Sequence, residues 1–124
     1  MKLKSRAGFS CYVTDLGKTI QFYEALGVEF KVKKDDHAVA YINWYRMDFI
    51  SVSKADRPEF VDQSELQNKG LGVFLNFSVD NVDESYQELV EKGLKPSEPR
   101  KFLDNYEFVV TDPDGYKIVI FKRK

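Results

Sequence analysis

The chain has 124 residues, of which 43% are hydrophobic and 15% aromatic, and this composition supports a buried core and excludes an intrinsically disordered protein. The net charge is −1 with both signs interspersed, which argues against nucleic acid or an anionic membrane surface as the main partner. Cys11 is the single cysteine, which excludes an intrachain disulfide, and no apolar run reaches membrane-spanning or signal-peptide length. We therefore expect a single-domain cytoplasmic protein.

The first half of the chain predicts one strand, one helix and three further strands. Gly8–Val13 alternates between apolar and small or polar residues, as a half-buried strand does. Asp15 is a suitable N-cap for a helix over 15–26, and Gly27 is suited to ending it in the left-handed conformation. The alternating segments that follow predict strands over 28–33, 37–42 and 47–53.

The second half repeats this order after a polar segment, 54–70, that we interpret as a linker with one candidate helical turn near Glu65–Asn68. A strand over 71–79 and a helix over 82–92 come next. Short strands over 101–103, 106–111 and 116–122 complete the half. The last two are predicted to form a hairpin around Asp112–Gly115, because these residue types favour a tight turn.

The two halves match at one constant offset, which indicates an internal repeat. The matched pairs occupy the strand end, the N-cap, the first apolar helical residue, the C-terminal glycine and the residue after it: Val13 and Val79, Asp15 and Asn81, Leu16 and Val82, Gly27 and Gly93, Val28 and Leu94. The sequence therefore predicts an α+β domain spanning 1–124, built from two βαβββ modules at about 7–53 and 71–122.

The repeat, the first-helix pattern Asp15-Leu16…Phe22-Tyr23…Leu26-Gly27 and the Asp112–Gly115 turn resemble the vicinal oxygen chelate superfamily. This is the group of glyoxalase I, bleomycin and fosfomycin resistance proteins and extradiol dioxygenases. The resemblance covers about 9–121 and is not specific for one activity. It implies paired modules that curl their sheets around a cavity, with the sheet faces away from the helices lining it.

The resemblance also implies where metal ligands would lie, and the residues there depart from the family pattern. The expected positions are Gly8 and Phe74 in the first strands of the two modules, Val119 in the last strand, and Phe49 or Ser51 in the fourth strand. Three or four nitrogen or oxygen donors would have to converge, and only Ser51 offers even a weak one. We therefore expect no bound metal or other cofactor and no family metal chemistry, which favours a non-enzyme.

Two other residues could carry chemistry but have simpler interpretations. His37 is the only histidine and follows Asp35 and Asp36, but adjacent strand residues alternate between faces and cannot all reach one ion. We interpret His37 as a partly packed residue at a strand start. Cys11 is expected on the helix-facing side as an inert buried thiol.

Alternation along the strands predicts a ligand-binding surface on the faces away from the helices. Aromatic walls with a few polar groups suit a flat organic ligand. The residues placed there by alternation are Ser10, Tyr12, Phe49, Ser51, Phe74, Asn76, Lys117, Val119 and Phe121. The predicted ligand-binding residues also include Trp44 and Arg46, expected at a strand turn near the rim, and Tyr106, expected to reach the cavity from the second module. The alternative is that the phenylalanines of this set fill a core between the modules.

Three functions remain open. The first is a metal-free binding protein similar to the bleomycin resistance type, which sequesters an aromatic or cationic organic molecule between modules or subunits. The resemblance to that type implies a homodimer. The second is an enzyme that uses Tyr12, Arg46, His37 or a bound cofactor without the family metal, and the third uses metal ligands at other positions.

Overall fold

The computed structural model describes residues 1–4, 7–54, 70 and 72–123, and within them two βαβββ modules follow one another. The first comprises β1 (Gly8–Val13), α1 (Leu16–Ala25), β2 (Glu29–Lys33), β3 (His37–Ile42) and β4 (Tyr45–Ser51), followed by a short 3₁₀ turn, Val52–Lys54. The second comprises β5 (Phe74–Ser78), α2 (Val82–Glu91), β6 (Arg100–Phe102), β7 (Asn105–Thr111) and β8 (Lys117–Arg123). The predicted α+β fold is confirmed.

The chain divides into two compact units, Met1–Leu66 and Gln67–Lys124, one for each module. Most of the predicted linker and the candidate turn near Glu65–Asn68 lie outside the described residues. The expectation that 1–124 forms one domain stays a prediction.

Each module forms a four-stranded mixed sheet in which the first and last strands are neighbours. The strand order is β1-β4-β3-β2 in sheet 1 and β5-β8-β7-β6 in sheet 2. The β1–β4 and β5–β8 pairs are parallel, and the other pairs are antiparallel. In both sheets the last strand of the module is therefore an interior strand.

The two helices begin with the same hydrogen bonds, as the repeat predicts. The Asp15 side chain accepts from the backbone N–H of Lys18 at 3.1 Å, and the Asn81 side chain accepts from that of Glu84 at 3.0 Å. Each capping residue thus satisfies one N–H that the first helical turn leaves without an intrahelical partner.

The helices also end alike. Gly27 and Gly93 have φ of 96° and 82°, the left-handed conformation that favours glycine. The next residue in each module, Val28 or Leu94, donates its backbone N–H back into the last helical turn at 3.0 Å. The repeat predicted from sequence is therefore a repeat of backbone hydrogen bonds.

One face of each sheet packs against the helix of its own module. In sheet 1 the ring of Phe49 lies 4.7 Å from that of Tyr23 on α1, and both side chains are fully buried. In sheet 2 the ring of Phe108 lies 5.7 Å from that of Tyr86 on α2, with Ile118 buried beside it in register with Val110. Each module thus has its own apolar core between sheet and helix.

The hairpin between β7 and β8 forms around Asp112–Gly115 as predicted. The Asp112 carboxylate accepts from the backbone N–H groups of Asp114 and Tyr116, both at 2.9 Å. Gly115 has φ of 97° and donates its N–H to the Asp112 carbonyl oxygen at 3.0 Å. The carboxylate of Asp112, a buried residue that is 4% exposed, therefore organises the turn.

Among the described residues, no helix is long and apolar enough to cross a membrane, since α1 and α2 have ten residues each.

Candidate functional site

The second face of each sheet points away from the helix of its module and is called the open face below. On the open face of sheet 1, the register places Ser10 beside Asp48 and Tyr12 beside Ile50. Arg46 and Tyr41 are neighbours on the same face. The predicted placement of Ser10 and Tyr12 on this face agrees with the structure, whereas Arg46, expected at a strand turn, lies within β4. Whether these residues bind a ligand stays a prediction.

Two residues expected on the open face of sheet 1 lie on the opposite face. Phe49 pairs in register with Cys11, and its ring contacts α1 through Tyr23 and β2 through Phe30, so its predicted placement is wrong. Ser51 lies two residues further along β4 and therefore shares that face by alternation. The residues of β4 on the open face are Arg46, Asp48 and Ile50, and the sequence interpretation missed Asp48.

On sheet 2 most of the predicted residues do share the open face. The register places Phe74 beside Lys117, Asn76 beside Val119, and Phe121 beside Glu107. These neighbours form one continuous surface.

Tyr106 is the exception on sheet 2. Its hydroxyl donates to the Asp83 carboxylate of α2 at 2.7 Å, so it belongs to the helix-facing side. This hydrogen bond raises the pKa of Tyr106 above its ordinary value. Trp44, another predicted site residue, lies at the exposed turn between β3 and β4.

The open face of sheet 1 carries a hydrogen-bonded cluster of Arg46, Asp48, His37 and Tyr41. The Arg46 guanidinium donates to both oxygens of Asp48, at 2.7 and 2.9 Å, and more weakly to the Tyr41 hydroxyl at 3.4 Å. Nε2 of His37 lies 3.0 Å from Oδ1 of Asp48. The hydrogen bonds from Arg46, aided by His37 and opposed by partial burial, hold the pKa of Asp48 below its ordinary value of 3.8.

These residues do not fit a family metal. Asp48 and His37 are two possible ligands, but a cationic guanidinium already hydrogen-bonds both oxygens of the carboxylate and would repel a metal ion. Gly8, Phe74 and Val119, at the other expected positions, offer no donor side chain. Within the described residues, no group of three or more His, Cys, Asp or Glu side chains could hold a metal ion.

The open face of sheet 2 carries a pocket with a volume of about 650 Å³. Apolar and aromatic side chains form most of its wall: Val73, Phe74, Phe102, Leu103, Val109 and Val119. Polar side chains converge on the same space: Asn76, Arg100, Asn105, Glu107 and Lys117. The volume and the mixed lining are those of a small-molecule site.

Within the pocket, Glu107 is the buried charged group. It lies at the middle of β7, in register with Phe121 on one side and Arg100 on the other, and is only 6% exposed. The Arg100 guanidinium lies over the Phe102 ring, 5.2 Å from its centroid, and Lys117 Nζ donates to the Thr111 hydroxyl at 2.8 Å.

Four of the predicted site residues, Phe74, Asn76, Lys117 and Val119, line this pocket together. The sequence interpretation missed Glu107, Phe102 and Asn105 as pocket residues. One signal could have found Glu107: a single carboxylate interrupts the otherwise apolar and aromatic run over 106–110. Because a charged side chain is costly to bury, its presence in such a run indicates a paired or functional group.

A family model described as "Glyoxalase/Bleomycin resistance protein/Dioxygenase superfamily" matches residues 8–120. The chain belongs to this superfamily, as the resemblance implied. Nothing in the match is specific to its bleomycin resistance members. No curated protein sequence matches the chain.

Solved structures share the fold at low sequence identity. A lactoylglutathione lyase from Agrobacterium tumefaciens is 16% identical, with 97% of this chain and 95% of that one covered and a TM-score of 0.74. The hypothetical protein SA1046 from S. aureus is 21% identical, with 97% and 94% covered and a TM-score of 0.76. A protein from the mobile metagenome of V. pseudocholerae is 19% identical, with 98% and 95% covered and a TM-score of 0.74.

Proposed function

We propose that the chain is a metal-free binding protein that holds a small organic molecule in the pocket on the open face of sheet 2. The observation that carries this proposal is the lining of that pocket. Phe74, Phe102 and Leu103 are 58%, 50% and 87% exposed, and they surround a space large enough for a drug-sized ligand. Exposed aromatic and apolar side chains grouped around a concavity mark a binding surface more often than scattered ones do.

The polar groups of the pocket support binding of an organic ligand rather than a metal. Asn76 and Asn105 present amides with both donor and acceptor atoms, and the charged groups of Arg100, Glu107 and Lys117 have opposite signs. Such a set can orient an organic molecule through several hydrogen bonds. The residues at the expected metal positions lack the donors for an ion.

A screen of small organic compounds by thermal shift tests the proposal, with two variants of β5 as the decisive pair. Asn76 and Ser78 lie two residues apart on the same face of the same strand, both are exposed, and only Asn76 lines the pocket. In Asn76→Trp the indole should fill the pocket and abolish the ligand-induced rise in melting temperature. Ser78→Trp adds the same side chain outside it and should leave the rise unchanged.

Two outcomes contradict the proposal. One is a library of varied charge and shape in which no compound raises the melting temperature of the wild type. The other is a set of binding compounds whose effect is equal in Asn76→Trp and Ser78→Trp, which would place their site elsewhere.

A second function is favoured by the cluster on sheet 1. A carboxylate that hydrogen-bonds one ring nitrogen of a histidine is how many enzymes orient a general base, and Asp48 stands in that relation to His37. Compounds that bind should therefore be recovered after incubation and compared by mass spectrometry. Unchanged compounds support sequestration, whereas a product that His37→Gln no longer forms would support the metal-free enzyme.

A further inference from the structure

We propose that Glu107 is the anchor of the pocket and that the ligand it takes carries a protonated nitrogen on an apolar or aromatic body. This inference rests on the proposed function and names the chemical class of the ligand. It follows from the negative charge of Glu107, which no side chain in the described part of the chain neutralises.

Glu107 is a largely buried residue whose carboxylate has no partner among the described residues. Its residue exposure is 6%, yet no side chain or backbone group of the described residues donates a hydrogen bond to its carboxylate or forms an ion pair with it. Its oxygens are not among the buried side-chain atoms of the described residues that lack a hydrogen bond, so they reach the open space of the pocket. A carboxylate that lines a pocket can instead receive its donor from the molecule that enters.

The nearest cations of the pocket are engaged elsewhere. Arg100 is the direct register neighbour of Glu107, but its guanidinium stacks over the Phe102 ring. Lys117 is hydrogen-bonded to Thr111, two rows of the sheet away from Glu107. The carboxylate is thus available to a ligand in the pocket. The side chains of Arg100 and Lys117 are exposed, so water screens their charges.

The side chains around Glu107 indicate what the rest of the ligand should be. Val109 is the next residue of β7 on the same face, and Val119 of β8 is its neighbour in register. Phe102 of β6 is the next residue on that face after Arg100, which is in register with Glu107. A protonated amine at the carboxylate would therefore place its apolar substituent against these side chains. Aromatic rings add a preference for cations over anions at this site, because a ring face attracts positive charge.

A series of three probes that differ only in charge tests the inference: 2-phenylethylamine, 2-phenylethanol and phenylacetate, titrated into the full chain and followed by NMR chemical shifts. The wild type should bind the amine at least about tenfold more tightly than the alcohol, as expected for a hydrogen bond between charged groups. Phenylacetate should be the weakest. The shifted resonances should include those of residues 105–109.

Two glutamate variants supply the matched control. Glu107→Gln keeps the shape of the side chain and removes its charge, so it should abolish the preference for the amine and retain binding of the alcohol. Glu98→Gln makes the same change of net charge at an exposed residue outside the pocket and should behave as the wild type. Retained binding of the alcohol also shows that Glu107→Gln has folded.

The outcomes separate this inference from the proposed function. Binding of the alcohol with no preference for the amine, or a preference that survives Glu107→Gln, overturns the inference and leaves the pocket intact. A preference that appears only in Arg100→Ala also overturns it, because Glu107 would then be the partner of Arg100. If none of the three probes shifts a pocket resonance, this inference falls, and the broader compound screen decides whether the pocket binds anything.

Discussion

The open faces of the two sheets differ although the modules repeat each other in backbone. On sheet 1, Arg46 and His37 both hydrogen-bond to Asp48, so the charged groups of this cluster are paired within it. On sheet 2, Glu107 lines a pocket, and its carboxylate has no such partner within the part of the chain that the structure describes. The caps and glycines that build the modules have been kept in both copies, while the surfaces that could meet a ligand have diverged. The same backbone can therefore carry one face whose charged cluster is hydrogen-bonded within itself and another face with a pocket open to a ligand.

The largest expected effect tests which face of β4 belongs to the core. Phe49→Ala should lower the free energy of unfolding by about 3–5 kcal/mol, because the ring is fully buried against Tyr23 and Phe30. Phe74→Ala, at 58% exposure, should cost less than about 1 kcal/mol. Chemical denaturation of both variants measures the difference. Equal losses would mean that the open face of sheet 2 is packed as tightly as the core of sheet 1.

A smaller effect tests the equivalence of the two modules. Gly27→Ala and Gly93→Ala should each cost about 1–2 kcal/mol, because alanine is strained at a positive φ. At both positions an added Cβ meets nothing within 4 Å, so the backbone term stands alone. Denaturation curves should give matching losses. A large loss at one glycine and none at the other would contradict the helix ends described above.

The N-caps offer a finer version of the same test. Asp15→Ala and Asn81→Ala each remove the acceptor of one backbone N–H in the first helical turn, and each should cost about 1 kcal/mol. Thermal or chemical denaturation measures both. Asp15→Asn and Asn81→Asp retain the acceptor and should restore most of the stability. Variants that the retained acceptor does not rescue would show that another role of the residue dominates.

The smallest effect depends on pH and concerns the cluster on sheet 1. The pKa of Asp48 is lowered in the folded chain, chiefly by the hydrogen bonds from Arg46, so the ionised carboxylate stabilises the fold. This stabilisation is present above the ordinary value of 3.8 and is lost as the pH falls through the lower folded pKa. Asp48→Asn should therefore be less stable than the wild type at neutral pH and should lose that disadvantage in acid.

Denaturation curves recorded between neutral and acid pH measure this change. Asp104→Asn, which alters an exposed carboxyl in the β6–β7 turn, is the control and should show no such trend. A gap between Asp48→Asn and the wild type that stays constant as the pH falls would contradict the hydrogen bonds assigned to Asp48.

The fold could be predicted from sequence because its signals are local. Asp15, Asn81, Gly27 and Gly93 act within a few residues of their own positions, and the Asp112–Gly115 turn is organised by a single side chain. Such short-range hydrogen bonds leave their mark in residue type and spacing. The repeat strengthened the prediction because both modules carry the same N-cap and C-terminal glycine signals.

The candidate site could be predicted only in part, because it depends on the phase of strands that pair over long distances. Phe49 was assigned to the open face from the family pattern, whereas the pairing of β4 with the distant β1 sets Phe49 beside Cys11 on the helix-facing side. A shift of one residue in phase moves every side chain to the other face. On β5 and β8 the phase was right, and there Phe74, Asn76, Lys117 and Val119 were placed correctly.

Because β5 and β8 are neighbours in sheet 2, the order in which the chain is synthesised affects how the second module folds. During synthesis β5, α2, β6 and β7 emerge first, but β5 has no strand to pair with until Lys117–Arg123 have left the ribosome and inserted between it and β7. Closing that long loop costs entropy before any hydrogen bond repays it, so the second module should fold late and in one step. Until then the apolar residues of β5 and β7 are exposed together, which is the period in which a nascent chain most needs a chaperone.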